Sequence, residues 1–411
     1  MKKIVMFKPV NIYLEQVYFM SLLNYSQGTT TPIEIAADLR AVKNSIVLVD
    51  GIRLTPVTIS QLKNNGNTIC SFDINDHSSF DSMYGQSKEI LDIDLIFKVA
   101  GIQEVQSSDE MYIDNNMHIT KRLRPFCSDE HWQTYSTIKN SGRLHSLPYV
   151  MWRDPDIVPS LTWEGRKKLC LVRGGHHYQR FIMYLHFLKH HLVDEFSCFF
   201  TTHYVHQYCD DCRKIWKEHG GMSLAHYRGS KTSCRIPSPI PDDYFNGQTT
   251  GKAHWNNQCV PFFYEAAEIF KKHHGDINLG LLEGALNSSP LADANLYNIL
   301  KQYLFYCDYK WAFSILAPPR FWEAAAMKTI NLYPRRINDQ SFFPEMKDGE
   351  HYLTFSEDFS DLKDATNITK EQYEYISSNC FELYGKWIKG NQHKLSVFLI
   401  NHILDKVRDN R

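Results

Sequence analysis

The sequence predicts an α/β protein of two comparable halves with a long helical tail, and three observations predict it. Short apolar runs alternate with helical patterns through the first half, the signature of packed α and β layers. Those runs recur about every 20–40 residues, a spacing that suits βαβ units and a parallel sheet. A second series of the same kind begins near Lys168, after a stretch where Pro and aromatic residues replace any periodic pattern.

Taken in order, Ile4-Val5-Met6-Phe7 is the first predicted strand. Ser45-Ile46-Val47-Leu48-Val49-Asp50-Gly51 is a buried run ending in a turn signal. Asn64-Asn65-Gly66 turns the chain into a third strand, Asn67 to Asp73, and Leu95-Ile96-Phe97-Lys98-Val99 is a fourth. The crossing between halves is expected around Leu147-Pro148-Tyr149 and Pro155 to Pro159. Lys168 to Val172 opens the second series, with Gly174-Gly175 as its turn. Phe181, Tyr184, Leu185, Leu188 and Leu192 then mark one helical face. Gly229 to Pro261, rich in Ser, Thr, Pro, Gly and Asn, is expected to be irregular. Asn295 to Leu304 is a predicted helix, Trp311 to Leu316 a strand, Arg320 to Met327 a helix start and Thr329 to Tyr333 a strand. His351 to Phe355 is the last strand, and Asp358 to Lys363 leads into a helix. The tail, Gln372 to Val407, is amphipathic, with a break expected at Gly390-Asn391.

Composition narrows the function classes. The 411 residues carry 45 Lys and Arg against 46 Asp and Glu, a net charge of −1 that argues against broad nucleic-acid coating. With 43% hydrophobic and 22% charged residues, a largely disordered chain is excluded. No apolar run reaches about 18 residues, so no membrane span is predicted. The start, Met1 to Pro9, has too short an apolar stretch for a signal peptide, and ten scattered cysteines read as reduced thiols. The expected location is the cytoplasm.

Nucleotide motifs come next. No Gly-x-Gly-x-x-Gly follows a predicted strand, and Gly247-Gln248-Thr249-Thr250-Gly251-Lys252-Ala253 has the wrong spacing for a phosphate loop. Val172 to Arg180 is more informative. A strand ending in Gly174-Gly175 and followed by a helix presents free amides and the positive end of the helix dipole, with Arg173 and Arg180 flanking that anion site. The bland alternative is a tight turn with two surface arginines. In Pro318 to Tyr333 a helix opens after two prolines with Glu323 in its first turn, then three alanines, then a strand. A glutamate beside a cleft accepts hydrogen bonds from ribose hydroxyls; the bland alternative is complementing the helix dipole.

Other clusters weigh less. Asp92-Ile93-Asp94 has the form of a cation-binding Asp-x-Asp, but it enters a strand where acidic residues face solvent. His203, His206, Cys209 and Cys212 span about 13.5 Å on a straight helix, so they share one zinc only if the segment bends or Cys198 or Cys234 joins them; packing is the alternative. Lys121-Arg122-Leu123-Arg124 is either a solvated face or a contact for an anionic acceptor.

Arg320-Phe321-Trp322-Glu323-Ala324-Ala325-Ala326 resembles the Arg-x-x-Glu-Ala-x-Ala signature of group 1 glycosyltransferases, most of all their spore-maturation-protein branch. Asp73-Ile74-Asn75-Asp76-His77, His145 to Tyr149, Val172 to Arg180 and Phe342 to Phe355 resemble further segments of that branch in the same order. The chain departs from the pattern at Ile315, where many members carry a second Glu, and at Met327-Lys328, where they carry a small residue and Gly.

The resemblance implies a GT-B fold, two Rossmann-like α/β domains facing across a cleft with a C-terminal helix crossing back. The expected bounds are 1–150 for the acceptor-side domain, 151–385 for the donor domain and 386–411 for the crossing helix. It implies sugar transfer from a UDP- or GDP-sugar to a hydroxyl acceptor, a glycan or surface-polysaccharide precursor, without a metal or resident cofactor. A DNA-base acceptor and a non-catalytic nucleotide-sugar binder are the alternatives. Arg173, Gly174, Gly175, Arg180 and Arg320 would meet the donor, and Glu323 its ribose. Asp73, Asp76 and His77 are the candidate bases, because they end a first-half strand facing the cleft.

Overall fold

The computed structural model describes residues 3–7, 33–51, 54–73, 88–98, 101–113, 119–125, 129–146, 161–175, 178–194, 197–201, 222–223, 260–288, 296–307 and 319–389, with 401 and 405. First-half strands are β1 (Lys3–Phe7), β2 (Ile33–Ala36), β3 (Ser45–Asp50), β4 (Thr68–Asp73), β5 (Leu95–Lys98), β6 (Ile102–Gln103), β7 (Ser107–Ile113), β8 (Ile119–Pro125) and β9 (Leu144–Ser146). Second-half strands are β10 (Lys167–Gly175), β11 (Cys198–Thr201), β12 (Met222–Ser223), β13 (Tyr303–Cys307), β14 (Ile330–Pro334), β15 (Gln340–Ser341) and β16 (Leu353–Phe355). The helices are α1 (Pro56–Asn64), α2 (Asp129–Asn140), α3 (Tyr178–Lys189), α4 (Val260–His274), α5 (Leu279–Ser288), α6 (Leu296–Leu300), α7 (Pro319–Ala326), α8 (Leu362–Thr366) and α9 (Lys370–Trp387). Among the described residues, none of these is long and apolar enough to cross a membrane.

Two parallel sheets organise the chain, and they share one strand order. The first runs β2-β1-β3-β4-β5-β9 and the second β11-β10-β13-β14-β16. In each, the chain leaves its first strand to one side and then continues on the other, so the first and third strands flank a topological switch point. The mixed α/β architecture with parallel sheets is thus as the sequence predicts.

Local chemistry accounts for the elements. Asn64-Asn65-Gly66 makes the expected turn: Gly66 takes φ +74 and its amide donates to Lys63. Helix α1 starts where Pro56 follows Thr55, whose Oγ1 accepts from the Thr58 amide at 3.2 Å. Helix α9 starts in a capping box between Thr369 and Gln372. On the first sheet Val5, Val47, Val49, Ile69 and Ile96 face Ile59, Leu62, Tyr135 and Ile138 of α1 and α2. The alternate residues Ile4, Met6, Ile46, Leu48, Phe72 and Phe97 join the apolar cluster that also holds the second sheet.

Several expectations are corrected. The sequence continues a helix to Leu304, but α6 ends at Leu300 and Tyr303–Cys307 is a strand buried throughout. A short apolar run cannot be told from a helix segment by periodicity, and burial on both faces decides it here. Edge strand β2 gave no signal, because only Ile33 is buried and Ile35 stays 53% exposed. Helix α9 ends at Trp387, earlier than the break expected at Gly390. The expected crossing near 147–159, the 311–316 strand, residues 390–400 of the tail and most of the 229–261 stretch lie outside the described residues.

Helix α3 is the largest departure. The sequence gives it one apolar face, yet all of Ile182 to Leu188 are buried, because the helix lies between β10 and α4. His186 is therefore interior. Its ring stacks on Phe359 at 4.3 Å, with Phe270 edge-on at 4.9 Å and His274 at 5.5 Å, and Nε2 has no hydrogen-bond partner among the described residues. Burial, reinforced by His274, Lys189 and His190, pushes its pKa well below the ordinary value. The unfolded chain then binds the proton more readily than the fold, so this stabilisation is present above about pH 6.5 and is lost as pH falls. Stability is expected to decline below about pH 6.5 by up to about 1.4 kcal/mol per pH unit from this residue. His186→Phe should flatten that slope in urea titrations between about pH 5 and 7; an unchanged slope would assign the proton elsewhere.

Candidate functional site

The second sheet gathers the predicted donor residues at its carboxyl edge. Val172 of β10 pairs with Cys307, the last residue of β13. Among the described residues, Arg173, Gly174 and Gly175 extend beyond β13 and pair with Phe199, Phe200 and Thr201 of β11. They therefore stand at the β10/β13 switch point, and α3 opens three residues after Gly175. Open α/β sheets bind ligands in this crevice, just outside the carboxyl ends of the strands, and free amides at a following helix start favour anions.

Helix α7 follows β13, so its N-terminus opens at the same edge. The structure thus brings the 173–180 and 320–323 segments, remote in sequence, onto neighbouring strands and the helices that follow them. Glu323 and Arg320 are partly buried. One detail differs from expectation: α7 begins at Pro319, which puts Glu323 in its second turn, about 6 Å from the helix start. The macrodipole falls off within the first turn, so dipole complementation explains Glu323 less well than the sequence suggested.

The far end of α7 is tightly held. The Lys328 amide donates to Ala325 and that of Thr329 to Ala324, with Lys328 at φ +53, a Schellman closure that glycine ordinarily makes. This explains the departure at Met327-Lys328: a lysine occupies the left-handed position, its carbonyl accepting from Tyr373 OH at 3.0 Å and its Nζ lying 5.3 Å from the Phe381 ring. Arg166, only 5% exposed, donates to Met327 O at 2.5 Å, Tyr303 O at 2.9 Å, Thr329 Oγ1 at 3.0 Å and Leu161 O at 3.1 Å. A cation on the last carbonyls of α7 also suits the negative end of its dipole. From β14, Asn331 Nδ2 donates to Phe321 O at 3.1 Å. Neither Arg166 nor Tyr373 was singled out from sequence, since Arg166-Lys167-Lys168 reads as a solvated basic run.

The first sheet presents a different picture. Asp73 ends β4 as predicted, but its carboxylate is fully buried and bonded to Lys98 Nζ at 2.6 Å. Lys98 stands directly opposite on β5 and is equally buried. Both strands close on a charge after an apolar run, a signal that was legible. Asp76 and His77 lie outside the described residues, as do the His203, His206, Cys209 and Cys212 cluster and the Gly247 to Ala253 stretch.

Asp94 has a structural task. Its carboxylate accepts from Lys63 Nζ at 2.9 and 3.0 Å and from the Ile69 amide at 2.8 Å. Among the described residues, no three His, Cys, Asp or Glu side chains are grouped to hold a metal ion. Lys121, Arg122 and Arg124 belong to β8, where Arg122 stands opposite Glu110 and Leu123 opposite Asp109 of β7, so the hairpin carries both signs.

The chain matches no protein-family model and no curated protein.

Proposed function

We propose that the chain is a glycosyltransferase that moves a sugar from a nucleotide-sugar, a UDP- or GDP-sugar, to a hydroxyl acceptor such as a glycan or surface-polysaccharide precursor. The observation that carries this reading is the convergence at one switch point of Gly174-Gly175, which are the last residues of strand β10 and not the turn expected from sequence, and the Glu-Ala helix α7. Two parallel sheets whose first five strands follow the same order support the two-domain arrangement that the resemblance implies. So does the meeting of their carboxyl edges, where Ser146 at the end of β9 accepts from the Phe343 amide beyond β14.

In this reading the leaving diphosphate lies on the amides at Gly174-Gly175 and the start of α3, with Arg173, Arg180 and Arg320 neutralising its charge. Glu323 accepts both ribose hydroxyls. Because the Asp73 carboxylate is engaged by Lys98, the base on the acceptor hydroxyl falls to Asp76 or His77.

Calorimetric titration with nucleotides and sugar-nucleotides tests the donor site. Glu323→Ala is expected to weaken binding by about 1.5–3 kcal/mol, roughly 10- to 150-fold. Unchanged affinity with an intact fold removes the main reason for assigning a donor site. Binding without turnover would favour the non-catalytic alternative. Because helix-terminal amides and arginines do the work of a cation here, turnover is expected to survive EDTA; loss restored by manganese would refute that assignment.

A further inference from the structure

Asn331 is out of character for its place. It stands second in β14, between Ile330 and Leu332, in a strand buried along its whole length, and it is itself 0% exposed. Asn is depleted in strands, and an interior parallel strand ordinarily reads as an unbroken apolar run. Burying an amide costs free energy unless hydrogen bonds replace those to water, and this one is only partly served. Nδ2 donates to Phe321 O at 3.1 Å, whereas Oδ1 has no hydrogen-bond partner among the described residues. A leucine or valine would suit the strand better. The bond to Phe321 is the one thing the amide supplies that they could not.

Phe321 is the third residue of α7. The helical pattern already directs the Ala325 amide to its carbonyl, so the helix forms without a second donor there. What Asn331 adds is direction. Apolar packing is non-directional, and beyond Phe321 and Trp322 the buried flank of α7 is Ala324, Ala325 and Ala326, small side chains that resist rotation about the axis weakly. A hydrogen bond, by contrast, weakens steeply away from its preferred angle. Phe321 faces the sheet, its ring 6.1 Å from that of Tyr333 on β14 and 6.5 Å from that of Tyr352. Arg320 and Glu323, three residues apart, are neighbours on another face of the helix and are only partly buried. The outer radius of a helix with its side chains is about 5–6 Å, so a rotation of about 20° carries a carboxylate about 2 Å, enough to lose a pair of hydrogen bonds to a diol.

We propose that Asn331 is a positioning residue of the donor site: through Phe321 O it sets the rotation of α7 and thereby the place of Arg320 and Glu323 against a bound nucleotide. Arg166 and the Lys328 closure hold the far end of the same helix, and Asn331 holds the end from which the donor contacts project. The holding of α7 rests on the hydrogen bond alone; its effect on nucleotide affinity rests on the donor-site reading.

Asn331→Leu, of similar volume but without the donor, tests this, with Asn331→Val as the smaller variant should leucine crowd the sheet. Urea unfolding establishes that each is folded. Without ligand, the Glu323, Ala324 and Ala325 amides of the variant should exchange hydrogen at least about tenfold faster than in the unaltered protein, while those of Lys328 and Thr329 at the Arg166 end keep their rates. In calorimetric titration the folded variant should bind UDP at least about fivefold more weakly, and a double-mutant cycle separates positioning from general loosening. Because Asn331 acts through Glu323, Asn331→Leu with Glu323→Ala should bind UDP no more than about twofold more weakly than Glu323→Ala alone. Unchanged exchange at 323–325, undiminished UDP affinity of the folded variants, or effects that simply add would overturn the proposal. If the unaltered protein itself binds no UDP, the donor-site reading falls with the proposed effect on affinity, and exchange alone decides whether Asn331 holds α7.

Discussion

Lys98→Met is expected to destabilise the protein by about 3–5 kcal/mol, a large share of the ~5–15 kcal/mol that holds a typical domain. The lysine and Asp73 are both 0% exposed and bonded at 2.6 Å, so removing the cation leaves a carboxylate buried without its counter-charge. Asp73→Asn should do less harm, since a neutral amide can still accept from the ammonium. The double change Asp73→Leu with Lys98→Met should recover most of the loss, because an apolar pair of similar volume replaces two desolvated charges. Urea unfolding of the three variants measures this directly. A loss below about 1 kcal/mol for Lys98→Met would mean that water reaches the pair, and Asp73 would return as a candidate base.

Arg166→Met should rank with it, at about 4 kcal/mol. The guanidinium serves four acceptors in the region where a short 3-10 turn (Trp163–Gly165), β13, the end of α7 and α9 meet, and its charge stands 5.5 Å from the Tyr373 ring. Each buried acceptor left unmet costs about 1–3 kcal/mol. Burial also lowers the Arg166 pKa from its ordinary value, a sign of how little water attends it. Lysine is a poor replacement, because a point charge cannot reach several carbonyls as the planar fork does. A functional consequence follows from position. Arg166 touches none of the proposed donor contacts, yet it holds the C-terminal end of the helix that carries Glu323. Nucleotide affinity should therefore fall together with stability, and thermal melts with and without UDP would separate the two. A stable Arg166→Met protein with full affinity would show that α7 is held by apolar packing alone.

Much of the architecture was legible without coordinates. The runs at 4–7, 45–50, 68–73 and 95–98 are strands because each is short, apolar and bounded by turn-forming or polar residues. The helix at 319–326 and the strand at 330–334 were visible for the same reason, and the paired Pro and the alanines made their junction distinctive. These are local properties, written in spacing and residue type within about ten positions. The candidate donor segments were equally local, since a Gly pair closing a strand is chemistry that a single window reveals.

What only the tertiary structure decided was who meets whom. Nothing near Arg166 in sequence announces that it binds carbonyls 137 and 161 residues away, and a basic run looks the same whether it is solvated or interior. Hydrophobic period told which face of α3 is apolar but not that α4 would cover the other, which is why nothing in the sequence marked His186 as core. Two-residue strands such as β6 and β15 carry no periodic signal at all and exist only because a distant partner supplies the ladder. Local pattern sets the period and polarity of each element, but the pairing of elements is chosen by packing and by the need to satisfy buried charges and backbone groups together, and that choice belongs to the whole chain.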